Sequence, residues 1–137
     1  MILRISAILF FISFSIHFFA QDKKIDRLEM LYDQGNYKIV LRKSDKLLRN
    51  ENYKKHPSPI LFKALSEYQL SKNNERFSSS NAIYDYEQFL KLDSMFYYQK
   101  AYSNYIYDMQ LGIANEIRDL NEKGEKEKAK IKYDSFV

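Results

Sequence analysis

The chain has 137 residues, a formal net charge of +4 and no cysteine. A chain of this length forms one domain, with or without a targeting segment. The absence of cysteine excludes a disulfide framework and a cysteine nucleophile, and two histidines are too few for a multi-histidine zinc site.

Residues 1–20 differ in composition from the rest of the chain. Arg4 supplies one positive charge, residues 5–19 are mostly apolar, and Ala20 precedes the polar sequence QDKK. This is the order of a secretory signal peptide. Because a membrane-spanning helix needs about 20 apolar residues, we expect cleavage after Ala20 and export to the periplasm or the medium. A leader retained as a membrane anchor is the alternative.

The strongest helical signal lies in residues 25–48, where two apolar patterns of helical period meet at a Gly-Asn pair. The repeating positions are Ile25, Leu28, Leu31 and Tyr32 before the pair, and Tyr37, Val40, Leu41, Ser44, Leu47 and Leu48 after it. Gly35 can take the positive φ that ends the first helix, and Asn36 is expected to cap the second. The pattern predicts an antiparallel helix pair.

Two further helices follow a polar segment at residues 49–58. Ser58 is expected to cap a third helix that begins at Pro59 and ends near Ser71. Residues 72–81 have no apolar period and are predicted to form a loop, followed by a fourth helix from about Asn81 to Asp93. The side chains expected to face inward are Leu61, Ala64, Leu65 and Tyr68 in the third helix, and Ala82, Ile83, Tyr86, Phe89 and Leu90 in the fourth.

The last part of the chain continues the helical pattern. One long helix from Met95 to about residue 122 is preferred over two collinear helices joined at Gly112. Gly124 is expected to break the chain as Gly35 does, and a final helix then points Ala129, Tyr133 and Phe136 inward. Because no alternating strand pattern occurs, the sequence predicts an all-α fold.

The second helix of each successive pair can be aligned with the others. The aligned positions are Val40, Ala82 and Ala129, then Ser44, Tyr86 and Tyr133, then Leu47, Phe89 and Phe136. Together with LYDQGNY at residues 31–37, the motif resembles the tetratricopeptide repeat, in a chain of the kind that Gram-negative bacteria export. The departures are an insertion in the second unit, a long first helix in the third, and no proline at Asn52 or Ser94.

The resemblance implies a short α-solenoid of about three helix-turn-helix units, at residues 22–52, 58–94 and 95–137, within a domain that spans residues 21–137. Proteins of this family bind a peptide or a partner protein in a concave groove, without catalysis and without a cofactor. The C-terminal end of such a stack, lacking a polar capping helix, is expected to be covered by a partner or by a second copy of the chain.

Two groups of side chains are candidates for binding. Tyr97 and Tyr107 lie off the inward stripe of the long helix, where an aromatic ring with a polar tip suits a protein contact. Arg42, Lys46 and Arg49 belong to a basic run that also includes Lys43, Lys54 and Lys55. We expect this run to face solvent or an acidic protein partner, since two acidic residues interrupt it and an exported chain seldom meets nucleic acid.

The sequence contains no catalytic constellation that we can identify. His56 lies in the polar sequence KKHPS and is expected to be a solvated loop histidine rather than a general base. Carboxylates such as Asp85, Glu87, Glu116 and Asp119 are expected to be exposed helix charges. The leading hypothesis is an exported protein-binding module that is not an enzyme. The alternatives are an accessory or truncated module of a larger secreted hydrolase or peptidase, and a membrane-tethered regulator.

Overall fold

A computed structural model describes residues 23–73 and 76–136, and these ranges form seven helices with no strand. The helices are α1 (23–33), α2 (Tyr37–Leu48), α3 (Pro57–Ser71), α4 (Ser79–Leu92), α5 (Tyr97–Ala101), α6 (Ser103–Glu122) and α7 (Lys126–Phe136). The predicted all-α class is confirmed. The predicted signal peptide falls on residues outside the described ranges.

Two glycines end helices in the same way. Gly35 has φ 72° and Gly124 has φ 78°. At the first turn the amide of Gly35 donates to the carbonyl of Tyr32 (2.8 Å) and the amide of Asn36 donates to that of Leu31 (3.0 Å). The amides of Gly124 and its successor make the equivalent pair of bonds. Both turns are Schellman motifs, in which glycine takes the left-handed conformation without a steric cost.

The predicted cap of α3 is wrong, whereas Asn36 holds the N-cap position of α2 as predicted but without a side-chain capping bond. The Asn36 side chain accepts no capping bond and instead donates to the side chain of Gln34 (3.2 Å). The third helix begins at Pro57, and its cap is His56, whose Nδ1 accepts from the amide of Ser58 (3.2 Å). The hydroxyl of Ser58 is buried without a hydrogen-bond partner in the described structure. Pro57 fits the first helical position because proline has no amide hydrogen to leave unpaired.

The central element of the molecule is α3, which packs against α2, α4 and α6. Its buried residues are Ser58, Pro59, Leu61, Phe62, Ala64, Leu65, Ser66, Glu67 and Tyr68. They surround the helix instead of occupying one stripe, as expected of a helix covered on several sides. The last helix, α7, packs against α6 and α4.

The single long helix preferred for residues 95–122 is interrupted, but not at Gly112. The interruption is at Tyr102, between α5 and α6, and α6 runs unbroken through Gly112. A Cβ atom on Gly112 would lie 1.4 Å from the hydroxyl oxygen of Tyr68. Gly112 therefore allows α6 to approach the Tyr68 ring of α3, and it does not act as a joint.

An aromatic cluster joins α1, α3 and α6, which are the first helices of the three helix pairs. The Tyr32 ring of α1 lies 5.9 Å from Phe62 of α3 and 5.3 Å from Tyr105 of α6, measured between centroids. Tyr102 completes the cluster at 5.1 Å from Phe62. The Tyr105 hydroxyl also donates to Asp33 of α1 (2.7 Å). Side chains of α1 and α6 thus meet across α3.

Most of the predicted inward positions are buried. Val40, Ala82 and Ala129, which align in the three pairs, are all buried. The prediction for Tyr133 is wrong, since its side chain is 53% exposed, and Leu90 is also exposed. Across the described ranges, no helix has the length and apolar character needed to cross a bilayer.

Candidate functional site

The predicted basic residues Arg42, Lys46 and Arg49 share one exposed face of α2, because they are four and three positions apart. They border an open groove of about 820 Å³. Its other lining residues are Lys38, Leu41, Lys43, Asp45 and Phe77. Phe77 comes from the loop before α4, so the groove runs from α2 towards the second helix pair.

A second, smaller groove lies between α1 and α2 and has a volume of about 280 Å³. Its lining residues are Lys24, Arg27, Leu28, Lys43, Lys46, Leu47 and Asn50. Lys43 and Lys46 line both grooves, so the two are adjacent along α2. Sequence reasoning missed Lys24 and Arg27. Their three-residue spacing places them on one side of α1, but only the angle between the helices brings them beside α2.

The two grooves together present an excess of positive charge. Within the described part of the chain, no ion pair involves any of their cations, which are Lys24, Arg27, Lys38, Arg42, Lys43, Lys46 and Arg49. The one carboxylate of the larger groove, Asp45, lies 3.6 Å from the amine of Lys63. Because that carboxylate is already partly neutralised, the grooves attract anionic groups. We call them together the α2 basic face.

Tyr97 and Tyr107, the other predicted binding residues, are exposed by 68% and 62%. Their predicted position off the inward stripe is therefore observed. Neither tyrosine lines either groove of the α2 basic face. The structure does not bring the aromatic and basic candidates into one groove.

Tyr97 belongs instead to an exposed apolar tip that the sequence reasoning missed. Met95 and Phe96 lie in the connection from α4 to α5, and Tyr97 is the first residue of α5. Their side chains are exposed by 87%, 67% and 68%. The sequence predicts a helix that begins at Met95. Successive residues of a helix point in different directions, so this prediction does not place Met95 and Phe96 on one exposed surface. A visible signal was the preceding Asp-Ser pair, which is typical of a helix end followed by a new cap.

His56 is not the solvated loop histidine that the sequence predicts. Its Nδ1 caps α3 and its Nε2 lies 3.1 Å from the hydroxyl oxygen of Tyr98 in α5. Because Nδ1 accepts a hydrogen bond, the neutral ring carries its proton on Nε2 and donates it to Tyr98. Both nitrogens thus make contacts that fix the position of the α2–α3 loop.

Asp85 is not an exposed helix charge either. It is buried between α3 and α4, and its Oδ2 lies 3.0 Å from the amine of Lys63. Glu67 is buried beside it, with Oε2 lacking any hydrogen-bond partner among the described residues. Burial, and next the negative charge of Asp85, raise the pKa of Glu67 to about 7. The three groups, with Asp45 at the edge, form a buried charge cluster.

Glu116 lies in a second polar cluster, which joins three helices. Its Oε2 accepts from the hydroxyl of Ser79 in α4 (2.7 Å) and from the amine of Lys132 in α7 (2.5 Å). The same amine lies 2.7 Å from the Ser79 oxygen. We interpret the cluster as a clamp on α7.

No acidic or histidine cluster suited to a metal ion occurs in the described ranges. Comparison with known proteins finds no matching family model, no matching curated protein and no matching solved structure.

Proposed function

We propose that this chain is an exported, non-catalytic protein-binding module that binds an acidic segment of a partner protein along the α2 basic face. The observation that carries the proposal is the pair of adjoining grooves, lined by seven cations with no ion pair among the described residues. Folding a helix pair requires neither such grooves nor several neighbouring cations without ion pairs. Both suit an anionic ligand.

The chemistry of the grooves favours a peptide over a small anion. Leu28 and Leu47 lie in the smaller groove, and Leu41 and Phe77 lie in the larger. Apolar side chains flanked by cations match a segment that alternates acidic and apolar residues. Buried apolar contacts would then supply much of the affinity, while the charges supply orientation and a fast association rate.

The proposed architecture is a compact relative of the tetratricopeptide repeat. Three helix pairs, two equivalent glycine turns and three equivalent buried small or β-branched residues on α2, α4 and α7 support it. Between the first helices, the rings of Tyr102 and Tyr105 pack on Phe62 and Tyr32 of this chain. For that reason we place the partner on the α2 basic face instead.

The proposed location is the periplasm or the medium, because residues 1–20 have the order of a cleaved leader. The partner is then a protein of the envelope or the exterior. Ile131 and Tyr133, exposed on α7, would serve self-association at the C-terminal end.

The test is binding of a labelled peptide of alternating glutamate and leucine, followed by fluorescence anisotropy. The variant with Arg42→Glu, Lys46→Glu and Arg49→Glu should bind at least about tenfold more weakly, since each rim charge contributes up to about 1 kcal/mol. The matched control reverses three exposed lysines far from this face, which are Lys123 after α6 and Lys126 and Lys130 in α7. Equal loss in the two variants would refute the proposed face, and tighter binding of a DNA duplex than of the peptide would refute a protein partner.

A further inference from the structure

The connection between α4 and α5, together with the first residue of α5, presents three large apolar side chains to solvent. Met95, Phe96 and Tyr97 are consecutive, and none of them is less than two-thirds exposed. Scattered exposed apolar residues are ordinary, but a contiguous set marks a contact surface. We call these three residues the apolar tip.

The apolar tip is held in place by Asp93, which is buried. One carboxylate oxygen of Asp93 accepts from the amide of Tyr98 (3.2 Å) and the other accepts from the amide of Gln99 (2.8 Å). The carbonyl of Asp93 accepts from the amide of Phe96 (3.0 Å). Phe96 itself adopts a left-handed conformation with φ 56°. These hydrogen bonds fix the backbone of the connection. The side chains of the apolar tip therefore point into solvent in the absence of a ligand.

Along the chain, the exposed charged side chains that flank the tip are all positive. Lys91 and Lys100 lie in the last turns of α4 and α5 and are exposed. Between residues 88 and 107 the only carboxylate is Asp93, and it is buried and bonded to amides. The His56–Tyr98 contact also holds the α2–α3 loop, with its exposed Lys55, against α5. Apolar side chains with a rim of lysines complement an anionic surface that has an apolar layer beneath it.

We propose that the apolar tip docks on an anionic lipid bilayer, inserting Met95 and Phe96 below the headgroups and placing Tyr97 at headgroup level. Lys91 and Lys100 then face the lipid phosphates. Aromatic residues and lysines are enriched at this depth of the bilayer, and lysines near an anionic leaflet are attracted to it. A bilayer accepts a protruding turn without a matching pocket, whereas a protein partner would have to supply one. This inference concerns a surface separate from the α2 basic face and does not depend on the proposed function.

The experiment uses the absence of tryptophan from the chain. Tyr97→Trp in the full chain places the single tryptophan at the tip, and Tyr84→Trp places it on α4 at a side chain of similar exposure (62%). Vesicles of phosphatidylcholine with about one-third phosphatidylglycerol carry bromine on the acyl chains. We expect a blue-shifted and quenched emission from the Tyr97→Trp protein and no change from the Tyr84→Trp protein. Since residues 5–19 could themselves attach the full chain to vesicles, the readout is the position of the probe and not co-sedimentation.

Charge is tested on the Tyr97→Trp background. Lys91→Glu with Lys100→Glu should raise the lipid concentration at half-maximal quenching by at least about 25-fold, since each lysine near an anionic surface contributes about a factor of five and each glutamate adds repulsion. Lys126→Glu with Lys130→Glu on α7 should change it less than about threefold. Unchanged emission at position 97, or equal quenching at position 84, overturns the proposal. An emission shift at position 97 that grows with protein concentration without lipid also overturns it, in favour of a second copy.

Discussion

At the residue scale, Gly112 shows how one missing side chain sets the distance between two helices. The Tyr68 hydroxyl and the next ring carbon would lie 1.4 and 2.5 Å from a Cβ at this position. Tyr68 is almost completely buried, so its ring has little room to move. The glycine is therefore required by packing and not by backbone conformation.

Gly112→Ala should destabilise the fold by about 1–3 kcal/mol, although alanine is the better helix former by about 1 kcal/mol. Urea unfolding of the purified variant measures the change. Tyr68→Phe in the same chain removes the nearest atom and should restore part of the loss. If Gly112→Ala is neutral or stabilising, α6 does not approach α3 as closely as described.

Glu67 makes stability depend on pH. Its pKa is about 7 in the folded chain against 4.5 as the reference for an unfolded one. Between these values the folded state binds a proton that the unfolded state has lost, so the free energy of unfolding falls as pH rises from about 4.5 through about 7. The groups that face Glu67 are Asp85, Lys63 and Asp45, and Lys63 keeps its positive charge because Asp85 raises its pKa against the effect of burial.

Glu67→Gln should imitate the protonated carboxyl and remove this dependence. We expect the variant to be more stable than the parent at pH 8, by up to about 3 kcal/mol at about 1.4 kcal/mol per pKa unit, and similar near pH 4.5. Thermal unfolding across this pH range measures it. Glu87→Gln, an exposed site on α4, is the control, and parallel curves for all three proteins would contradict the assignment.

Single caps and single polar residues were the least predictable from sequence. Asn36 holds the N-cap position of α2 without making a side-chain capping bond, whereas His56, which is outside the residue types favoured there, makes one for α3. Asp85 and Glu116 were expected to be solvated, but partners distant in the chain hold them. These outcomes depend on tertiary contacts, which a local pattern does not contain.

At the scale of elements, apolar periodicity located the helices well. The inner faces of α3 and α4 are buried largely as predicted because three- and four-residue spacing puts these side chains on one side of a helix. The starts of α3 and α4 were each predicted two residues too late, whereas the predicted end of α3 at Ser71 is observed. The break at Tyr102 could not be predicted, since the ring packs on Phe62, forty positions earlier in the chain.

The clamp on α7 predicts local instability when it is removed. Lys132→Met should loosen α7 from α4 and α6, raising amide hydrogen exchange over residues 126–136 by about tenfold, equivalent to a loss of about 1.4 kcal/mol. Exchange in α2 and α3 should be unchanged. Lys130→Met is the control on the same helix, and an equal effect there would show that the Ser79–Glu116–Lys132 contacts do not hold α7.

At the scale of the whole molecule, the proposed export has a direct measurement. We expect the chain recovered from fractionated cells to begin at Gln21 and to lie in the periplasm or the medium, because a short apolar run followed by a small residue is typical of a cleaved leader. Mass and N-terminal sequence decide it. Recovery of the full-length chain in the membrane fraction would instead make residues 5–19 an anchor.

The candidate surfaces were only partly predictable at this scale. Three cations of α2 were found because they lie close together in the sequence, while Lys24, Arg27 and Phe77 join them only through the angles between helices. The apolar tip was missed because its three residues continue the apolar composition of the neighbouring helices.

Phe96 also shows a conflict between folding and the outer surface. A bulky side chain at φ 56° costs the native state about 1 kcal/mol or more relative to glycine, which takes this conformation freely. Folding alone would thus be better served by glycine at position 96, as it is at Gly35 and Gly124. Phenylalanine at position 96 lowers the free energy of unfolding, although its ring is exposed and has few neighbours within the molecule. A replacement of Phe96 by glycine, chosen only because it makes the chain harder to unfold, would therefore remove the exposed ring from the apolar tip.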